Sequence, residues 1–361
     1  MNELTQNELA AQVRHRIDHK TKPLGALGRI EALALQLALA QGNARPCLTD
    51  PQLVVFAADH GIAEQGVSAY PAEVTVQMVA NMLAGGAAVS VLSRQHGLAL
   101  TVVDCGLAAD LPPQAGLVVA KVRAGTADCS QQPAMSEAEC EAALQHGAAL
   151  VRGLPGNVLL LGEMGIANSS AAALIMCRLT GLPIEACTGR GTGLDDAGLA
   201  RKLAVLRRAL SRHPSAKSPL QVLAALGGLE IATMAGAVMQ AVQERRLVVV
   251  DGFITTAAVA VAAALQAGVV AGCVFAHSSA ESGHARWLVA LGARPLLQLG
   301  LRLGEGSGAA LAWPIIKSAE LLLAEMASFE EAGVSVARAG QGGGHRGEGG
   351  PADEGASAPG T

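Results

Sequence analysis

The chain has 361 residues, of which 51% are hydrophobic, 16% charged and only 2% aromatic, and its net charge is −4. That length can bury one large core, or one core plus a small appended unit. The acidic balance and the lack of any Lys/Arg block exclude the strongly basic surface that a nucleic-acid backbone attracts.

In chain order, residues 4–42 read as helical, broken near "KTKPLGALGR". The opening "MNELTQNELAAQVRHRIDHK" has no apolar signal-peptide core. Seven cysteines are widely scattered with no C-x-x-C, a pattern of reduced thiols that points to a cytoplasmic protein. Short β-branched runs then recur: 52–61, 100–106, 116–122, 157–165, 246–252, 272–281 and 295–306. Alanine-rich helical patterns lie between most of them. Strand alternating with helix predicts an α/β fold with a mostly parallel sheet covered on both faces.

Ligands of such sheets sit beyond the carboxyl ends of the strands. Asp59, His60, Asp104, Glu163, Asp251, His277 and Glu281 all fall there. Each alone could be a helix cap, and Asp104 reads as one; as a set they predict one site.

Between residues 56 and 92, Ser68 and Tyr70 stand in a turn, and the next helix carries Gln77 and Met78. Those side chains suit a pocket for a flat heterocycle, although Met78 alone reads equally as core. "LLLGEMGIANSSAAALI" (159–175) is a strand, a glycine turn and a helix start. Asn168, Ser169 and Ser170 are N-cap residue types, and such a helix start binds phosphate. It is neither G-x-G-x-x-G nor a P-loop. "TGRGTGLDDAGLARKL" (188–203) sets Arg190 and Gly191 in a second glycine turn, ahead of Lys202; it reads as an anion contact or as a flexible connector.

From Gly252 to Ala280 there is no charged residue. Its Ala/Val composition and its glycine breaks read as β-α-β with a buried helix, so no membrane span is expected. His277, Glu281 and His284 lack zincin spacing, and no metal site is expected. G-x-S-x-G is absent. "LRLGEGSGAAL" (301–311) places Glu305 between two glycines, three residues after Arg302. Glu305 reads either as a partly dry carboxylate base or as a fixed ion-pair partner of Arg302. Residues 309–332 read as helical with Pro314 near the start, and the Gly-rich stretch from 338 to 361 reads as a disordered tail.

Taken in order, "KPLGALGRIE", "DHGIAEQGVSAYPAEVT", "GEMGIANSSAAA", "GRGTGLD", "GGLEIATMAGA", "VDGFITTAA", "AHSSAESGH" and "LRLGEGSGAAL" resemble the nicotinate-nucleotide:dimethylbenzimidazole phosphoribosyltransferase family. The resemblance runs from about residue 20 to 335. It implies a Rossmann-like, mostly parallel sheet flanked by helices. It also implies a small helical domain built from both chain ends (1–45 with 309–337, around a catalytic domain 46–308) and a homodimer. The implied reaction moves the phosphoribosyl group of nicotinate mononucleotide onto 5,6-dimethylbenzimidazole, with no cofactor and no metal. It makes Glu305 the general base and sets Glu163 across the same site. The implied substrate contacts are Ser68, Tyr70, Gln77 and Met78; Met164, Gly165, Ile166 and Asn168; Arg190, Gly191 and Lys202; and Asp251, Ser279 and Leu303. Ala167 departs from the family's common glycine, and alanine is strained if that position needs a positive φ.

The chemistry also fits the residues. A ribosyl–pyridinium bond is already activated, because its leaving group departs as a neutral pyridine. The attacking azole must lose its N–H proton, so one carboxylate base suffices. Residues alone also leave open a nucleotide glycosidic-bond hydrolase and a non-catalytic small-molecule binder.

Overall fold

A computed structural model describes residues 5–191 and 193–335. The tail expected at 338–361 lies outside the described residues. In chain order the elements are α1 (Gln6–Asp18), α2 (Arg29–Gln41), β1 (Gln52–Ala58), α3 (Val74–Leu83), α4 (Ala88–His96), β2 (Ala99–Gly106) and β3 (Leu117–Val119). Then follow α5 (Glu137–Gly153), β4 (Val158–Met164), α6 (Asn168–Thr180), α7 (Ile184–Cys187), α8 (Asp196–Arg212), α9 (Pro219–Leu226) and α10 (Leu229–Gln243). The last are β5 (Leu247–Val250), α11 (Phe253–Leu265), β6 (Cys273–Phe275), α12 (His284–Ala290) and α13 (Ser307–Glu325).

The strands form one sheet in the order β3-β2-β1-β4-β5-β6, and every neighbouring pair is parallel. Apolar residues on both faces of each strand are what a two-sided cover requires. On β1, Leu53, Val55 and Ala57 enter one core layer with α1, α2, α3 and α13, while Val54, Phe56 and Ala58 enter the other with α5, α6, α10 and α11. Strand order runs outward in opposite directions from β1 and from β4. The crevice between their carboxyl ends is therefore the switch point where such sheets bind ligands.

Helix starts follow local chemistry. Thr5 with Glu8, Ser136 with Glu139 and Ser218 with Gln221 are complete capping boxes on α1, α5 and α9. The helices from the two chain ends meet: Arg16 donates to the Leu323 carbonyl, and Lys20 bridges to Ser328. Their apolar residues share their core layer with β1, β4 and β5.

Two expectations need correction. The run 295–306 is not a strand: Gly300, Gly304 and Gly306 take φ of 68°, 77° and 91°, which breaks extended backbone, and one bridge from His277 to Leu297 ties it to the sheet side. The last helix ends at Glu325, and Pro314 lies well inside it. The charge-free stretch after Gly252 is the buried helix α11 followed by β6. By length and composition Val74–His96 could cross a membrane, but it is α3 and α4, broken at Gly85 and Gly86.

Candidate active site

The β1 and β4 ends open into a cleft. Its first wall is Glu163 at the end of β4 and the turn Gly165–Ser169, and its floor is Gly252, Phe253 and Ile254. The opposite wall is His277, Ser279, Glu281 and Arg302–Gly304, with Val67, Ser68 and Gly191 at the edge.

Ala167 is the N-cap of α6, with φ 77°, and no side chain caps this helix. Its first turn therefore offers backbone N–H groups and the positive end of the helix dipole to the cleft. The expected serine and asparagine caps are used otherwise. Asn168 is the first helical residue, and its Nδ2 donates to Glu163 Oε2. Ser169 Oγ accepts from Lys202 Nζ at 2.9 Å. The turn is held from below by Thr75 on α3, whose Oγ1 accepts from Ile166 N–H at 3.1 Å.

Glu163 is 6% exposed. Burial pushes its carboxyl up to about 8; Asn168 opposes the rise, and Asp251, Glu230 and Glu305 add to it. Its Oε1 packs where a Cβ on Gly304 would stand, so residue 304 has to be glycine for the two walls to meet. Lys202 is 1% exposed, and burial lowers its ammonium to about 8, against the pull of nearby Glu281. Burial raises Glu281, while Lys202 and Arg302 oppose that rise.

Glu305 follows the cleft wall by one residue and is buried. Burial raises its pKa and Asp251 adds to the rise, while the Val89 N–H at the start of α4 opposes it. Among the described residues its Oε2 has no hydrogen-bond partner. Among the described residues no ion pair joins it to Arg302. The carbonyl of Glu305 lies where a Cβ on Gly162 would stand, so the loop rests directly on β4.

Of the residues nominated from sequence, Ser68, Glu163, Met164, Gly165, Ile166, Asn168, Gly191, Ser279 and Leu303 line the cleft, and Lys202 stands beside it. Several do not reach it. Arg190 turns outward to the Leu194 carbonyl and Asp196. Tyr70 is 52% exposed, and its N–H donates to Ser68 Oγ. On α3, Thr75, Val79 and Met82 face inward, which leaves Gln77 outside and Met78 against the core below the sheet. Asp251 is consumed by backbone N–H groups of the Glu305 loop. Sequence reasoning did not assign Phe253, Ile254 or Thr75. The first two follow directly on a strand end, which is a usable signal, whereas Thr75 acts through a tertiary contact that no local pattern announces.

His284 is no metal ligand in this arrangement. Its Nδ1 accepts from Ser279 N–H at 2.8 Å, which places the proton on Nε2 toward Thr256 Oγ1 at 3.0 Å. Burial then lowers its pKa to about 3.

A parallel α/β sheet whose switch point gathers buried carboxylates, a buried lysine and an uncapped helix start is the ligand-binding crevice of an α/β protein, suited to an anionic ligand. Comparison with known proteins gives the family. A phosphoribosyltransferase family matches residues 3–334, and the chain belongs to it. It is 61% identical over 335 residues to a nicotinate-nucleotide–dimethylbenzimidazole phosphoribosyltransferase of Variovorax paradoxus (strain S110), covering 93% of this chain and 96% of that one. It is 59% identical to one so named in Cupriavidus taiwanensis, covering 89% and 94%. A crystal structure of CobT from Thermus thermophilus superposes with a TM-score of 0.87 at 45% identity, covering 91% of this chain and 99% of that one.

Proposed function

We propose that this chain transfers the phosphoribosyl group of nicotinate mononucleotide to 5,6-dimethylbenzimidazole. The products are α-ribazole 5′-phosphate and nicotinate, formed in assembly of the cobalamin lower-ligand nucleotide loop. The observation that carries this reading is the pair of buried carboxylates, Glu163 and Glu305, beside the uncapped start of α6 and Lys202, in a chain of this family.

The phosphate binds the first turn of α6, with the Lys202 ammonium and Ser169 hydroxyl beside it. That anchors C1′ of the ribose near Glu163. Burial favours the protonated Glu163, whose carboxyl is pushed up to about 8. A bound ribosyl–pyridinium favours the ionised form, so nucleotide binding expels that proton. The carboxylate then faces the positive charge that grows on C1′ as nicotinate leaves. Glu305, buried beside the cleft, accepts the azole N–H on its carboxylate. The azole nitrogen lone pair forms the new bond to C1′ on the face opposite the departing pyridine, which inverts the anomeric centre. Leu303, 55% exposed at the rim, offers apolar contact to the flat base.

The chain works as a cytoplasmic homodimer in this reading. Exposed Tyr70 and Val91 lie on or beside the half-covered apolar segment α3–α4, which suits a second copy. Light scattering checks the mass.

Pure protein incubated with nicotinate mononucleotide and dimethylbenzimidazole should yield a ribotide and nicotinate by mass spectrometry. Nicotinate release at the same rate without any added base would make it a hydrolase instead.

A further inference from the structure

Asp251 closes the β5 strand end and is 1% exposed. Its Oδ2 accepts from Gly306 N–H at 3.3 Å, and its Oδ1 accepts from Ala309 N–H at 3.0 Å. The same Oδ1 lies 3.5 Å from His277 Nε2. Gly306 is the N-cap of α13 and has no side chain to cap it. Asp251 thus does from another element what a capping Ser or Asp does from the N-cap itself. Its charge sits at the positive end of the α13 dipole.

The capped turn is the one that carries Glu305. Gly304, Glu305 and Gly306 have φ of 77°, 65° and 91°, three left-handed residues in succession. A non-glycine residue stays in that region only where its surroundings hold it. Two contacts hold it here: the Gly162 backbone under the Glu305 carbonyl, and the two bonds to Asp251 on the next residues. His277 is buried, packs its Cδ2 on Gly308, and among the described residues has no hydrogen bond on either ring nitrogen. Its one polar neighbour among these is Asp251.

We propose that Asp251 is a positioning residue for Glu305: by capping α13 from β5 it fixes the left-handed turn that aims the Glu305 carboxylate, with His277 braced behind it. The proposal rests on the reading of Glu305 as base. The charged groups facing Glu305 are Asp251 from β5 and Glu163 from β4, with His277 across Asp251 from the β6 side and the Val89 N–H from α4.

Asp251→Asn keeps the size, removes the charge and turns an NH₂ toward a backbone N–H. The expected result is a kcat lowered by roughly 10²-fold, the cost of a misplaced reacting group, with the nucleotide KM changed by less than about twofold. The acid limb of kcat moves to lower pH, because losing a nearby anion lowers the pKa of Glu305. In a Glu305→Gln background the same substitution costs less than about threefold, since the two act as one unit. A raised nucleotide KM at unchanged kcat would overturn the proposal and make Asp251 a substrate ligand. Equal loss in both backgrounds with an unmoved acid limb would overturn it too, leaving only a helix cap. If Asp251→Asn does not fold, His277→Gln keeps both N–H bonds and gives the same comparison: loss in the wild-type background alone supports the proposal, and equal loss in both defeats it. An inactive Glu305→Gln beside a fully active Asp251→Asn overturns this proposal alone. Wild-type kcat in Glu305→Gln sinks the base reading, and this proposal with it.

Discussion

Lys202 Nζ donates to Ser169 Oγ at 2.9 Å while the lysine is 1% exposed. A buried ammonium with one neutral partner is costly unless an anion joins it, and the uncapped start of α6 is where that anion belongs. Lys202→Ala should raise the KM for the nucleotide roughly 10- to 100-fold, the worth of a charge-assisted hydrogen bond, and leave the KM for the base nearly unchanged. The advantage of wild type over Lys202→Ala in kcat/KM for the nucleotide should shrink as pH rises through about 8, where the buried ammonium loses its proton, because this parameter reports the free enzyme and Glu163 titrates alike in both proteins. Equal effects on both substrates would make Lys202 structural.

Glu163 carries its own pH signature in stability. Its folded pKa, near 8, stands above the ordinary 4.5. A raised folded pKa contributes stability that is fully present below the unfolded value and is lost as pH rises through the folded one. Wild-type Tm should therefore decline from about pH 4.5 to 8 through this group. Glu163→Gln mimics the protonated acid, so its Tm should gain on wild type across that window while turnover falls. Parallel Tm curves for the two proteins would show that Glu163 is ionised in the empty cleft.

How much of this was legible beforehand follows from range. Six of seven apolar runs became strands, because a parallel sheet buried on both faces writes itself as continuous apolar sequence. The seventh, 295–306, is apolar through leucine with no β-branched residue, and its glycines at positive φ let the loop lie against β4 and Glu163. The polar strand ends predicted a common cleft, since topology forces them together. Orientation was not legible. Arg190 finds a local carbonyl and Asp196, Gln77 falls on the outer side of α3, and Asp251 spends both oxygens on a helix more than fifty residues away in sequence. Each of these outcomes is set by tertiary neighbours that no local pattern encodes.

Ala167, where the family commonly has glycine, takes φ 77°. A left-handed L-residue costs about 1–2 kcal/mol, and glycine returns part of that through the freer unfolded chain, about 0.4–1 kcal/mol. Ala167→Gly should therefore stabilise by about 1 kcal/mol or less, read as a higher denaturant midpoint at unchanged slope. A lower midpoint would show that the alanine methyl, buried in the core beside α6, contributes more packing than its backbone conformation costs.

Glu305 decides between base and scaffold. Its alternative role, a fixed ion pair with Arg302, finds no support in the geometry: Arg302 faces the cleft and acts on Glu281, while Glu305 leans on the Val89 N–H with Oε2 left over. A buried acceptor without a partner is expensive, and under the proposed function the azole N–H donates to this carboxylate. Burial raises the Glu305 pKa above the ordinary value, which brings a carboxylate nearer the range of an effective base. Because the base must be ionised to act, kcat should fall on the acid side of the profile, with its midpoint above the ordinary glutamate value. Glu305→Gln keeps the shape but cannot take a proton. It should lower kcat by roughly 10²- to 10⁴-fold and erase that acid limb, with circular dichroism and Tm close to wild type. A scaffold role predicts the reverse, a lower Tm with normal turnover in the folded fraction. Measuring Tm and the kcat profile on the same preparation separates the two, and wild-type kcat in a well-folded Gln variant would remove Glu305 from the chemistry.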